Sequence, residues 1–157
     1  MIFGEGVVWD IPKSGAILVR GDAGEGNSNE AGKSTLLEAA YWNLTGDTVR
    51  KSLAHEVVNL DKKHTQVQNT YEINGDRIEV TRYWSKTLKY VRVNNKTKKD
   101  KKEFHDSDQG TEYILSLIGM NKETLALIGF FGKKFNTFSR MSAPQRAELI
   151  DLLAEGK

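Results

Sequence analysis

Asn27-Ser28-Asn29-Glu30-Ala31-Gly32-Lys33-Ser34-Thr35 brings together the groups that chemistry on a phosphate requires. Gly32 lets an anion approach the backbone, and amides at the start of a following helix point at it. The Lys33 ammonium reaches terminal phosphates, and the Ser34 hydroxyl can ligate magnesium. The stretch resembles a Walker A loop. In the strict pattern a Gly stands six residues before the Lys; here Asn27 occupies that place and Gly26 lies one position too early. Asn visits left-handed dihedrals more readily than most non-Gly residues, so the substitution suits the turn. The bland alternative is a small-residue surface loop with a chance Gly-Lys-Ser, and the strand–loop–helix context argues against it.

The elements around the loop follow from pattern. Residues 7–11 and 16–20 read as strands joined by the turn Pro12-Lys13-Ser14-Gly15, and residues 21–31 are too rich in small and turn-forming types for a regular element. Leu36, Leu37, Ala40, Tyr41 and Leu44 then fall at helical spacing, with Gly46 placed for a left-handed cap. A second helix is expected over residues 49–58. Residues 66–73, 77–84 and 88–93 read as an antiparallel meander whose first turn is Asn74-Gly75, a strong hairpin signal. The lysine-rich run 96–102 reads as a mobile basic loop. Residues 112–119 read as a helix, and another is expected to start at Asn121 and to break at Phe130-Phe131-Gly132. A last helix opens with the capping box Ser142-Ala143-Pro144-Gln145 and carries Leu149, Ile150 and Leu153 as its apolar stripe. There is no internal repeat.

Composition bounds the rest. The chain has 157 residues, 38% of them hydrophobic, enough for one globular domain rather than a disordered chain. With 23 Lys+Arg against 21 Asp+Glu the formal charge is +2, too small to indicate nucleic acid by itself. No Cys is present, which removes disulfides and thiolate metal sites and fits a reducing compartment. The longest apolar stretch, 125–131, is far short of the ~20 residues of a membrane-spanning helix. No secretory signal is readable, and a cytoplasmic location with no membrane partner is the expectation.

Asn29-Glu30-Ala31-Gly32-Lys33-Ser34-Thr35 followed by Leu36-Leu37-Glu38-Ala39 is similar to the phosphate loop of SMC-like ATPases. With Phe3-Gly4-Glu5 through Gly21-Asp22, the Asn74-Gly75 meander, Phe135-Asn136-Thr137-Phe138 and 142–153, the chain resembles the start of SbcC-type ATPases. These are the ATP-driven subunits of double-strand-break repair exonucleases, including those of tailed phages. The resemblance implies an α/β P-loop NTPase fold, namely the N-terminal lobe of an ABC-type ATPase head with an antiparallel β meander subdomain. On that template residues 1–60 are the Walker A region, 64–95 the meander, 96–106 a basic loop and 107–157 a helical region, all in one lobe. It further implies ATP and magnesium as cofactors, with Asn27, Asn29, Glu30, Ala31, Gly32, Lys33, Ser34 and Thr35 lining the nucleotide and Ser34 on the metal. Implied partners are the C-terminal lobe of the same ATPase, a second head in an ATP-dependent homodimer, an SbcD-type nuclease and double-stranded DNA. The Walker B acids, signature loop and switch histidine of that family belong to the C-terminal lobe, and no residue here takes a catalytic role. Two departures stand out: no Gln lies near 131–135, where the family's Q-loop ligates magnesium, so Asn136 or water would have to replace it, and little chain precedes Phe3.

Further candidates carry less. Lys86, Lys89, Arg92, Lys98, Lys99, Lys101 and Lys102, interleaved with Tyr83, Trp84 and Tyr90, read either as a DNA-facing patch or as a solvated loop beside core aromatics. Arg82 reads as a surface charge or, less readily, a nucleotide or DNA contact. Asp106-Ser107-Asp108-Gln109-Gly110 fails the calcium-loop spacing and reads as a helix start. His55, His64 and His105 lack zinc-ligand spacing, and the serine-hydrolase elbow fails at Glu30. Two other readings stay open: a self-contained P-loop kinase or GTPase, and a basic DNA-binding module that holds no nucleotide.

Overall fold

Alternating burial organises the centre of the chain. In the computed structural model, which describes residues 6, 8–11, 33–48, 57–58, 62–129 and 142–154, strands β1 (His64–Ile73), β2 (Asp76–Ser85), β3 (Lys89–Asn95) and β4 (Asp100–Phe104) form one antiparallel sheet in the order β1-β2-β3-β4. The meander is thus present, with a fourth strand added. Asn74 and Gly75 join β1 to β2 with φ of 51° and 80°, the positive pair that a tight type I′ hairpin needs. Register then places Val67, Asn69, Tyr71, Ile78, Val80, Arg82, Val91, Val93, Lys102 and Phe104 on one face.

Helices α1 (Lys33–Thr45) and α2 (Ser107–Ile118) cover that face. Leu44, Ile78, Val80, Val91, Val93 and Ile114 form the buried core between them. Helix α2 lies close against β3 at Gly110, where a Cβ would stand 2.6 Å from that of Val91. Its start is set by Asp106, whose carboxylate accepts from the amides of Asp108 (2.8 Å) and Gln109 (3.2 Å). The helix therefore begins five residues ahead of the expected 112. Helix α3 (Lys122–Gly129) is capped by Asn121, which accepts from the Thr124 amide at 2.8 Å. Helix α4 (Ala143–Ala154) begins where the capping box places it. Ile150 of its expected apolar stripe is 52% exposed, whereas the side chains of Gln145, Leu149 and Leu153 lie outside the described residues.

The basic run is not a loop. Lys96 to Lys99 make a turn in which the Lys98 amide donates to Asn95 Oδ1 (2.9 Å) while the Lys96 amide still bonds Arg77 O of β2 (2.8 Å), and Asp100–Phe104 returns as β4. Asp100-Lys101-Lys102-Glu103 has no apolar alternation that would announce a strand. Pairing with β3 supplies what pattern lacks: Arg92 meets Glu103 at 2.7 Å, and Lys102 Nζ sits 4.3 Å from the Tyr113 ring centroid. Charge on an edge strand also discourages pairing with another chain.

Residues 8–11 form no strand, and Val8 and Ile11 are 90% and 58% exposed. The rest of the expected first hairpin, and nearly all of the expected 49–58 helix, lie outside the described residues. Among the described residues no helix is long and apolar enough to cross a membrane.

Candidate functional site

Helix α1 starts at Lys33, so the Gly-Lys-Ser-Thr stretch runs directly into a helix, as a phosphate loop requires. Asn27, Asn29, Glu30, Ala31 and Gly32 lie outside the described residues, as do the side chains of Lys33 and Ser34; Thr35 is half-buried. What is visible of the helix fits an anionic ligand. No acidic residue stands in its first turn, a feature it shares with α4, whereas α2 carries Asp108 and α3 carries Glu123 there. The positive end of the α1 dipole is therefore not neutralised from within its own first turn.

The other end of α1 is held by a buried arginine. Arg82 is 2% exposed. Its Nε donates to Asn43 O (3.0 Å) and Nη2 to Leu44 O (3.4 Å), two carbonyls of the last turn of α1. Nη1 donates to Ser107 Oγ (2.8 Å) and Nη2 also to Thr111 Oγ1 (2.9 Å), both on α2. The guanidinium also lies 5.9 Å from the Trp42 ring centroid. Burying a cation is costly. Here the negative end of the helix dipole, four hydrogen-bond acceptors and an aromatic face offset that cost. Burial lowers the Arg82 pKa to about 10, against the opposing pull of Asp47, which leaves it charged at neutral pH. Arg82 is thus an interior cap and not the surface charge expected of it. The signal was its phase: it follows Ile78 and Val80 at every second residue, on the buried face.

Asn43 and Thr45 complete the anchor. Asn43 is fully buried, donates to Val67 O (2.9 Å) and Val80 O (3.2 Å), and accepts from the Tyr71 hydroxyl at 2.9 Å. Asn69 donates to that hydroxyl at 2.9 Å. Burial holds the Tyr71 phenol well above its ordinary pKa, so it keeps the proton it donates. Thr45 Oγ1 donates to Tyr41 O (2.8 Å) and accepts from the Asp47 amide (3.1 Å), and Thr111 Oγ1 reaches Thr45 O (3.3 Å). Gly46 ends the helix at φ 75°, where a Cβ would stand 3.0 Å from Arg82 Nη1. Asp47 then pairs with Lys122 of α3 at 3.0 Å. No sequence motif marks Asn43, Tyr71, Ser107 or Thr111; they meet only because the sheet places them together.

The basic residues do not make one patch. Lys86 and Lys89 lie at one end of the sheet, in and just after the β2–β3 turn, while Lys98 and Lys99 lie in the β3–β4 turn at the other end. The seven residues of β3 separate the two groups by ~20 Å. Several charges are also committed. Lys98 pairs with Asp76 (2.6 Å), which holds that carboxyl below its usual range; Arg92 does the same to Glu103. Lys102 lies over Tyr113 and Lys89 over Trp84. Lys86, Lys99 and Lys101 are exposed and carry no ion pair among the described residues.

The aromatics divide as well. Trp84 points to the helix-covered face, and Tyr83 and Tyr90 to the other. There Tyr83 stacks on Tyr90 (centroids 5.1 Å, 5° apart) and on His64 (5.6 Å), and Arg92 closes the row 5.1 Å from the Tyr90 centroid. Each tyrosine ring therefore already has two close neighbours in the row, which crowds out a stacked base.

Residues 13–156 match a protein-family model described as an AAA domain (AAA_23), a span that takes in the phosphate loop, the sheet and all four described helices. No curated protein matches the chain at a significant level. A loop of Walker A type that opens a helix, an antiparallel sheet beneath that helix and a family match over nearly the whole length agree: the chain belongs to the AAA domain family that holds the N-terminal parts of SbcC-type ATPases, and it is a P-loop ATPase domain.

Proposed function

We propose that this domain is the ATP-binding N-terminal lobe of an SbcC-type repair ATPase. The observation that carries the reading is the run Gly32-Lys33-Ser34-Thr35 entering α1 without a first-turn acid, inside the 13–156 family match. Asn27, Asn29, Glu30, Ala31 and Gly32 would surround the phosphates with backbone, Lys33 would neutralise them, and Ser34 would ligate magnesium beside Thr35. Bound ATP-magnesium supplies a transferable phosphoryl group and the charge that makes binding depend on Lys33.

Hydrolysis needs a group that orients the attacking water as well as phosphate stabilisation, and only the second has candidates among these residues. The Walker B acids and signature loop would come from a C-terminal lobe and a second head. In this reading ATP joins two heads, the closed dimer grips double-stranded DNA, and the state of the dimer regulates an SbcD-type nuclease. Lys86, Lys99 and Lys101, exposed and without an ion pair among the described residues, are candidate cations for DNA phosphates. Division of the basic residues between two ends of the sheet speaks against a stand-alone basic module, and the stacked tyrosines speak against base readout on its open face.

The test is ATP binding and turnover by the chain alone, with magnesium, beside Lys33→Ala. Binding that is lost in Lys33→Ala, with no turnover in either protein, is the expected result. Unchanged affinity in Lys33→Ala would overturn the site. Lys33-dependent turnover would overturn the half-site reading in favour of a self-contained P-loop enzyme.

A further inference from the structure

The phosphate loop precedes α1, and among the described residues the hydrogen bonds from Arg82 and Asn43 that tie this helix to the sheet gather at its opposite end. From the geometry we infer that Arg82 is a positioning residue for nucleotide binding: it sets where α1 sits along its axis, and so where Lys33 and the first-turn amides stand. This rests on the ATP-binding reading above.

A helix of thirteen residues is about 20 Å long and behaves as a stiff rod. Displacement of its last turn is thus carried to its first. Arg82 bonds two carbonyls of that last turn, Asn43 O and Leu44 O, and the same guanidinium is fixed from the opposite side by Ser107 and Thr111 of α2. The planar fork therefore defines one distance between α1, α2 and β2. Asn43 adds a lateral constraint through its two donors to the carbonyls of Val67 and Val80. It does not set the axial position as Arg82 does, because its bonds run from the side of the helix into the sheet. Lysine cannot replace the arginine: a single ammonium has no planar fork and cannot hold acceptors on both helices in this arrangement.

A residue needed only for folding would lower stability and leave the affinity of the folded protein alone. Arg82 predicts a different pattern. In the full chain, ATP affinity in the presence of magnesium is measured for Arg82→Lys and for Ser107→Ala, which loosens the guanidinium without removing its charge. Val93→Ala, a core truncation on β3 away from the guanidinium's partners, serves as the stability control, and melting curves set a temperature at which all are folded. The expected result is an affinity loss of at least about tenfold in Arg82→Lys and a smaller loss in Ser107→Ala, the size a misplacement of an ångström or less produces. Val93→Ala should melt earlier and bind as the parent does. Parental affinity in folded Arg82→Lys would overturn the inference, as would an equal loss in Val93→Ala. Lys33→Ala separates the two readings. If it binds ATP normally, the nucleotide site itself is wrong and the inference falls with it; if it loses ATP while Arg82→Lys keeps it, only the positioning role fails.

Discussion

Tyr71, Asn43 and Asn69 form a chain in which each hydrogen bond depends on the next. The Tyr71 hydroxyl donates to Asn43 Oδ1 and accepts from Asn69 Nδ2, and Asn43 is fully buried. Removal of the hydroxyl leaves a buried acceptor without a donor, which costs more than the net worth of the bond that is lost. Tyr71→Phe is therefore expected to lower unfolding free energy by about 1–3 kcal/mol, read from urea denaturation at neutral pH. A loss below about 0.5 kcal/mol would mean that Asn43 finds another donor. Arg82 obeys the same logic with a charge in place of a dipole. Its acceptors are carbonyls and hydroxyls, so the helix end and the guanidinium each answer the other's need.

Elements meet where side chains allow close approach. Helix α2 reaches β3 because Gly110 presents no Cβ to Val91; an added Cβ would meet three atoms of that side chain between 2.6 and 3.0 Å. Val91 is 1% exposed and cannot turn away into solvent. Gly110→Ala is expected to destabilise by about 1–3 kcal/mol, the range for overpacking a core, even though alanine favours the helix. Thermal melting of Gly110→Ala beside the double variant Gly110→Ala/Val91→Ala checks it. Recovery in the double variant identifies the clash, and its absence assigns the loss to something other than contact with Val91. The β3–β4 hairpin shows the opposite case, an element made by charge: Asp76, Asn95 and Lys98 tie its turn to β2, and Arg92 ties the edge strand to β3.

For the whole molecule, the division of the basic residues decides how DNA would be met. Charge concentrated at both ends of a sheet, with paired charges between, suits contact with separated phosphates and not a groove-reading surface. Lys99→Ala is expected to reduce the salt dependence of duplex binding by about 0.9 in slope, the value for one phosphate contact. Arg92→Ala should leave the slope unchanged, because Glu103 already neutralises that guanidinium. Binding should require ATP if two heads must close on the duplex. Salt-sensitive binding that ignores ATP would instead support the basic-module reading.

Local chemistry was readable in the sequence itself. The helix that follows the phosphate loop, Gly46 as its cap, the Asn74-Gly75 hairpin and the Ser142 helix start each depend on a few neighbouring residues whose dihedral preferences and hydrogen-bonding groups act over one turn. Alternation along 66–73 and 77–84 likewise reported a half-buried sheet. Tertiary structure decided what local pattern could not carry. Strand β4 is charged at four of its five positions, and only the pairing with β3 makes it a strand. Lys86 and Lys89 are parted from the 96–102 run by the length of β3, and within that run Lys101 and Lys102 face opposite sides of the sheet, because strand direction and pleat set where each charge points. Arg82 is isolated in sequence but joins residues up to 39 positions away, since burial of a cation is tolerable only where a folded chain gathers acceptors around it.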